Sequence, residues 1–209
     1  MRVTRIEELS KARCKIFIEQ EFAFVLYKGE LRLYRIREDE EITQADYQEI
    51  MEKVLPKRAK LRAMNLLKNR EYTTKQLHDK LKEGYYPENI IRQALDYVAG
   101  YHYTDDLRYA ENYISGHEET RSRRRIDQDL RNRGIDNTTL EKAWQQWEQE
   151  GGIQDEKAII RRLLDKRHYC PEEADLKEQR KTYSFLMRKG FSPDAIHSML
   201  RIQDRIFCE

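Results

Sequence analysis

Three segments of the chain repeat one hydrophobic pattern, and this repeat constrains the fold more than any other feature of the sequence. Each copy is anchored on one leucine: Leu81, Leu130 and Leu186. Apolar or aromatic residues follow five, ten and fourteen positions later, namely Tyr86, Ile135 and Phe191, then Ile91, Leu140 and Ile196, then Leu95, Trp144 and Leu200. Gly134 and Gly190 stand four positions after their anchors, whereas Gly84 comes one position earlier. A helix, a glycine-assisted stop and a second helix therefore recur.

Capping signals mark the starts of these helices. The segment TTKQ at 73–76 has the form of a capping box before the first anchor helix. Ser192 supplies an N-cap followed by proline at the first helical position. Asp136 or Asn137 can cap the corresponding helix of the middle copy.

One more amphipathic helix precedes each pair of helices. Its apolar positions are Ala63, Leu66 and Leu67 in the first copy, Leu107, Ala110, Tyr113 and Ile114 in the second, and Ile159, Ile160, Leu163 and Leu164 in the third. The anchors are 49 and then 56 residues apart, so the copies are irregular. We expect a mainly α protein of three tandem three-helix repeats, at residues 57–102, 103–150 and 151–209, stacked into an elongated curved rod.

Residues 1–56 predict a different structure, an N-terminal extension made of a β-hairpin and a helix. Apolar residues alternate at Cys14, Ile16 and Ile18, and FAFVLY at 22–27 favours a second strand. Lys28-Gly29 can then turn the chain. The alternation resumes at Leu31 and Leu33, which leaves a three-stranded meander open as an alternative.

A helix follows the predicted strands. Thr43 is a plausible N-cap, and Tyr47, Ile50, Met51 and Val54 share one side of the expected helix. Because proline disrupts a helix interior, we expect this helix to end near Pro56.

Composition limits the classes of function. Charged residues make up 37% of the chain, and 40 Lys and Arg nearly cancel 38 Asp and Glu, so nucleic-acid binding must depend on local patches. The three cysteines are far apart and lack the spacing of a zinc site. The sequence has no apolar run of the ~20 residues that span a bilayer. We therefore expect a soluble cytoplasmic protein without a membrane partner.

The adjacent carboxylates of YTDDLRYAENYI at 103–114 are a candidate reaction centre or metal site. Neighbouring helical residues point about 100° apart, so Asp105 and Asp106 converge poorly on one substrate. With Thr104 as the N-cap, however, two carboxylates in the first turn would meet the positive end of the helix dipole. We interpret the pair as the start of the second repeat's first helix. Neither a nucleotide-binding nor a hydrolase motif occurs elsewhere, so no catalytic residue, metal or cofactor is expected.

The segment RSRRRIDQDLRNR at 121–133 is the most basic part of the chain, with six arginines against two aspartates. If Ile126 and Leu130 face the core, the opposite face presents Arg124, Gln128 and Arg131. Guanidinium groups on such a face suit phosphate or carboxylate recognition. The candidate contact residues are Arg121, Arg123, Arg124, Arg125, Gln128, Arg131 and Arg133. A solvated face balanced by Glu118 and Glu119 is an equally acceptable interpretation.

Basic runs recur in the other two repeats. Lys57, Arg58 and Arg62 lie on the first helix of the first repeat, and Arg161 and Arg162 at the equivalent place in the third. Positive charge on all three units suits a protein that lies along DNA or a nucleoprotein filament. Basic surface helices are also commonplace, so the pattern does not decide between a DNA-contacting surface and an ordinary solvated one.

Three blocks of sequence, in order and spacing, resemble the RecX regulators of the bacterial RecA recombinase. They are RAMNLL at 62–67 with YTTKQL at 72–77 and Lys80-Leu81, then YTDDLRYAENYI at 103–114, then IDQDLRNRGI at 126–135. Signature positions of structural importance are Thr104, Asp105, Asp106, Tyr109 and Ala110, together with the three leucine anchors, Gly134 and Gly190. Thr104 departs from the apolar residue usual in the family, and Gly84 is displaced by one position.

The resemblance implies a non-enzymatic, monomeric modulator that binds the RecA filament on single- or double-stranded DNA. Such proteins lodge in the filament groove and curb strand exchange, ATP hydrolysis and co-protease activity in recombination and the SOS response. Their tandem three-helix fold agrees with the repeat above. A direct DNA-binding or architectural protein made of helix-turn-helix-like units is the alternative that the residues leave open.

Overall fold

The computed structural model describes residues 1–200, which form two compact units: residues 1–105, and the residues from Asp106 onward. The first unit contains strands β1 (Val3–Glu8), β2 (Arg13–Ile18) and β3 (Glu21–Tyr27), helices α1 (Lys28–Leu33) and α2 (Gln44–Glu49), a π-helical segment (Ile50–Val54), and helices α3 (Leu55–Leu67), α4 (Thr74–Lys82) and α5 (Glu88–Gly100). The second contains α6 (Asp106–Ser115), α7 (Arg123–Asn132), α8 (Asn137–Gln149), α9 (Glu156–Asp165), α10 (Leu176–Arg188) and α11 (Pro193–Leu200). No helix in this part of the chain is both long and apolar enough to cross a membrane.

The strands form an antiparallel meander in the order β1-β2-β3. The alternation of Cys14, Ile16 and Ile18 is confirmed, because all three side chains are buried. The predicted turn at Lys28-Gly29 and the strand through Leu31 and Leu33 are wrong. These residues form α1, whose first turn is closed by a hydrogen bond from the Tyr27 N–H to the Glu30 carboxylate at 2.7 Å. The third strand of the meander is instead β1.

The helix expected to end near Pro56 continues through it. The N–H of Leu55 bonds to the carbonyl of Ile50, five residues back, and Pro56 then lies in the first turn of α3. The π-helical turn shifts the hydrogen-bond register just ahead of the proline, which has no amide hydrogen to donate. One hydrophobic core consequently joins the sheet to α3, α4 and α5, with Ile16, Phe24 and Leu77 among its fully buried members.

The three-helix units are confirmed, as α3–α5, α6–α8 and α9–α11. All three leucine anchors are fully buried. The position four residues after each anchor has a left-handed backbone: Tyr85 (φ 63°), Gly134 (φ 91°) and Gly190 (φ 87°). The displaced glycine of the first unit therefore does not move the turn, because Tyr85 takes the left-handed conformation in its place.

The predicted caps are largely confirmed. The hydroxyls of Thr43, Thr73 and Ser192 and the carboxylate of Asp136 each accept a hydrogen bond from a backbone N–H three residues later. Helix α6 is an exception. It begins at Asp106, so the residue directly before the helix is Asp105 and not Thr104, the predicted N-cap. Thr104 is buried.

Candidate basic interface on the second and third three-helix units

Ser122 positions the start of α7 against the end of α10. Its side chain is fully buried, accepts a hydrogen bond from the Arg125 N–H at 3.3 Å, and donates one to the carbonyl oxygen of Lys189 at 2.8 Å. One hydroxyl thus caps α7 and satisfies a carbonyl at the last turn of α10, where helices leave such groups unpaired.

Gly190 makes the close approach of these two helices possible. A Cβ atom at this position would lie 2.8 Å from Ser122 Oγ and 3.4 Å from Arg124 Cβ, and its φ of 87° also disfavours any side chain. Further contacts join the same two repeats. Arg162 Nη1 donates to the carbonyl oxygen and carboxylate of Glu119, at 3.0 and 3.2 Å. The amide of Gln154 donates to the carbonyl oxygens of Glu118 and Arg121.

Two arginines of the 121–133 segment neutralise one carboxylate. Arg121 Nη1 lies 2.6 Å from Asp129 Oδ2, and Arg125 Nη2 lies 3.1 Å from Asp129 Oδ1. The Asp129 side chain is only 13% exposed, and the Tyr113 hydroxyl donates to it at 3.3 Å. Because an unpaired buried charge is strongly destabilising, this clamp is part of the fold.

Two further arginines cover aromatic rings of the same unit. Arg123 bonds to Glu148 at 2.8 Å and lies 4.4 Å from the Trp144 ring centroid. Arg133 donates to the Tyr109 hydroxyl and lies 4.3 Å from the Tyr113 ring centroid. Burial raises the pKa of Tyr113 above its ordinary 10.0, although Arg133 and Arg121 oppose the shift. Near neutral pH its hydroxyl therefore keeps its proton and can donate to the carboxylate.

The outer face of α7 is arranged as the sequence predicts. Ile126 and Leu130 are fully buried, whereas Arg124, Gln128 and Arg131 are exposed. Arg131 Nε donates to the side chain of Asn137, and Gln128 to that of Asn132. Within residues 1–200, Arg124 forms no ion pair with a carboxylate. Its guanidinium is thus available to a partner.

Helix α10 carries a basic stripe that the sequence patterns above do not include. Lys177, Arg180, Lys181, Ser184 and Arg188 recur at the spacing of one helix face, along roughly 16 Å of helix. All five side chains are exposed. None of the four basic members pairs with a carboxylate among the described residues. The signal in the sequence that could have revealed this stripe is the spacing of its basic residues at the helical period of 3.6. These residues are more widely separated than the arginines of 121–133, so the stripe is less conspicuous in the sequence.

The stripe and the outer face of α7 line neighbouring clefts. A cleft of about 700 Å³ is bordered by the four cations of α10 together with Arg167 and Phe185. A cleft of about 650 Å³ contains Arg121, Arg125 and Arg188, and one of about 350 Å³ contains Arg124, Gln128 and Arg188. We name the exposed set of Arg124, Gln128, Lys177, Arg180, Lys181 and Arg188 the basic interface.

The other predicted contact residues are divided between internal and exposed positions. Arg58 is internal, since it donates to the Val25 carbonyl oxygen at 3.1 Å and pairs with Glu30. Lys57, Arg62 and Arg161 are exposed. Asp105 directly precedes α6 and Asp106 is its first residue. Nowhere in residues 1–200 do three His, Cys, Asp or Glu side chains come together as a metal site requires.

Comparison with known proteins identifies the three-helix units. Family profiles described as the first, second and third three-helix domains of RecX match residues 59–97, 105–143 and 154–200. The chain belongs to the RecX family. A regulatory protein RecX of Chromobacterium violaceum is 32% identical over 144 residues, which cover 69% of this chain and 90% of that relative. The regulatory protein RecX of Caldanaerobacter subterraneus subsp. tengcongensis is 29% identical over 205 residues, which cover 97% of this chain and all of the relative.

Solved structures share the RecX fold. A crystal structure of a regulatory protein RecX has a TM-score of 0.61 at 24% identity, covering 96% of this chain and 98% of the other. RecX from Lactobacillus salivarius has a TM-score of 0.55 at 22% identity, covering 71% and 96%. At these identities the likeness concerns the fold alone.

Proposed function

We propose that this protein is a non-enzymatic regulator of the RecA recombinase that binds the RecA–DNA filament and lowers its strand exchange, ATPase and co-protease activity. The observation that carries the proposal is the basic interface, in which two helices of adjacent repeats present cations without carboxylate partners among the described residues. Membership of a family whose curated relatives are named regulatory proteins supports the role. A cytoplasmic, monomeric protein fits the same proposal.

Electrostatic attraction between these cations and DNA phosphates drives the proposed binding. A DNA strand carries closely spaced phosphates, and cations that neutralise them release condensed counterions, so binding strengthens steeply at low salt. The Ser122 and Gly190 contacts hold the start of α7 against the end of α10, so the helices that carry the cations are fixed relative to one another. Preorganised cations lose less conformational freedom when they bind than flexible ones do.

The test is the ATPase activity of RecA on single-stranded DNA, titrated with this protein at low and high salt. We expect inhibition at stoichiometric or lower concentrations, and a higher half-inhibitory concentration at high salt. Unchanged ATPase activity over the whole titration at both salt concentrations would refute the proposal.

A second candidate function is direct DNA binding without the recombinase, and the unpaired cations of α10 favour it. Titration of duplex and single-stranded DNA with the protein alone separates the two. Tight binding that depends on sequence supports a DNA-binding protein, whereas weak, salt-sensitive binding supports the regulator.

A further inference from the structure

The outer face of the N-terminal sheet presents aromatic rings in direct contact with one another. Side chains of β2 alternate, so Phe17 points away from the buried Ile16 and Ile18. Its ring contacts Phe22 of β3 edge-on, with centroids 5.9 Å apart. Phe22 in turn contacts Tyr85, which follows α4, at 6.2 Å. Phe22 is 42% exposed and Tyr85 is 38% exposed, so two of the three rings are open to solvent.

Cations are interleaved with these rings. The Arg5 guanidinium lies 4.0 Å from the Phe17 ring centroid, and Lys15 Nζ lies 4.7 Å from that of Tyr85. Arg13 shares the outer face of β2 with Lys15, two residues along the strand. Glu7 is the carboxylate of this face, 3.7 Å from both Arg5 and Lys15. Among the side chains named here, three are cationic and one is a carboxylate.

The backbone of Tyr85 supplies an independent observation. Tyr85 has a φ of 63°, where the second and third units have glycine at the equivalent positions. A tyrosine is strained in this left-handed conformation, and strained residues concentrate at functional sites. Since glycine serves the turn in the other two units, the turn itself does not require the ring. What the ring adds is its contacts with Phe22 and Lys15 on the exposed face.

We propose that the outer sheet surface, formed by Arg5, Arg13, Lys15, Phe17, Phe22 and Tyr85, binds single-stranded nucleic acid. Exposed rings on a sheet stack unpaired bases, and neighbouring cations hold the phosphates between them. An acidic protein partner would account for the cations but not for a solvent-exposed aromatic row. A purely apolar partner would account for the rings but not for the cations among them. The proposal does not depend on recombinase binding, and its test contains no recombinase.

The test separates stacking from charge. The full chain is titrated into a labelled oligothymidylate and into an oligomer of abasic sites with the same number of phosphates. Cations elsewhere on the protein contribute equally to both, so the ratio of the two affinities reports contact with the bases. We expect the protein to bind the oligothymidylate about tenfold more tightly.

The decisive variant is Phe22→Ala with Tyr85→Gly, in which the second change restores the glycine of the other units. We expect its affinity ratio to fall to about one, with an unchanged dependence of affinity on salt. The matched control is Tyr101→Ala with Tyr103→Ala, which removes two exposed rings of the same unit outside this surface and should keep the ratio. Phe22→Leu with Tyr85→Gly keeps an apolar side chain at position 22 and serves if the alanine variant unfolds.

Two results would overturn the proposal. One is equal affinity of the unchanged protein for the two oligomers. The other is an affinity ratio that stays high in both double variants of Phe22 and Tyr85.

Discussion

The Ser122 hydroxyl donates a hydrogen bond to the carbonyl oxygen of Lys189 at 2.8 Å, across 67 positions of sequence. The bond joins the second and third three-helix units at the point where their basic helices α7 and α10 meet. The Ser122 hydroxyl oxygen also accepts a hydrogen bond from the Arg125 N–H. The side chain that caps α7 therefore also fixes the position of this helix against α10. Stability and the geometry of the basic interface are therefore linked through one side chain.

Ser122→Ala removes both hydrogen bonds and leaves the carbonyl oxygen of Lys189 without this donor. We expect a loss of about 2 kcal/mol in the free energy of unfolding, the sum of a cap and a part-buried hydrogen bond. Asp136→Ala is the control, since it removes a cap at the surface and should cost about 1 kcal/mol. Chemical denaturation measures both. Equal losses in the two variants would show that the bond to Lys189 does not contribute.

Gly190→Ala tests the close approach of the two helices. Gly151 is the matched control, because its φ of 92° is similar but a Cβ there would have no heavy atom within 4 Å. Gly151→Ala should cost about 1 kcal/mol from backbone strain alone. Gly190→Ala should cost roughly 1–3 kcal/mol more, since the new atom would displace Ser122. A thermal unfolding series compares them, and similar losses would contradict the proximity argument.

Arg124→Glu with Arg131→Glu reverses two exposed charges of α7 without touching its buried residues. We expect normal folding by circular dichroism, and loss of most inhibition of filament ATPase activity, because like charges repel the phosphates. Lys53→Glu with Lys142→Glu makes the same change in net charge at exposed positions that are not members of the basic interface, and should inhibit normally. Full inhibition by the α7 variant would exclude this face from the function.

His78 joins α4 to the start of α5 through two carboxylates. Its Nε2 lies 2.8 Å from Glu88 and its Nδ1 lies 3.2 Å from Asp79. Hydrogen bonds to Glu88 and then Asp79 raise the pKa of His78 above 6.5. His78 lowers the pKa of Glu88 below 4.5. Lys75 first, and then His78, lowers the pKa of Asp79 below 3.8.

The sign of the pH dependence follows from these directions. Stabilisation by protonated His78 is complete below pH 6.5 and is lost as pH rises through the raised folded-state pKa. The stabilisation contributed by the Glu88 and Asp79 carboxylates is lost as pH falls below their ordinary pKa values and through their lowered folded-state pKa values. The difference in unfolding free energy between the protein and His78→Gln should therefore be larger at about pH 6 than at about pH 8.5. His168→Asn is the control, and a difference independent of pH would rule out the interaction.

The repeat could be predicted because a buried helix face leaves a periodic trace in the sequence. The leucine anchors, the caps at Thr73 and Asp136 and the outer face of α7 all have such local signals. Strand β1 has little of this trace, since Val3 and Ile6 are not in alternation and only its pairing with β2 defines it. The prediction that a helix ends near Pro56 was wrong, because a π-helical segment ahead of the proline changes the hydrogen-bond register.

The candidate site was less predictable because charge in a sequence does not show where that charge is neutralised. Arg121, Arg123, Arg125 and Arg133 look equivalent to Arg124 in the sequence, yet each has a partner within its own domain. In the sequence, Asp129 only reduces the net positive charge of the segment. In the structure it pairs with two specific arginines, Arg121 and Arg125. Only folding distinguishes arginines that hold the unit together from one that faces outward.

The core that runs from β2 into α5 implies a single cooperative opening. Amide hydrogens in the sheet and in α3–α5 are expected to exchange with solvent deuterium at one common free energy, as members of one foldon. Removal of residues 1–56 would then unfold the first RecX repeat rather than trim an appendage, because it would strip Ile16, Phe24 and Ile50 from the packing of Leu77 and Ile91.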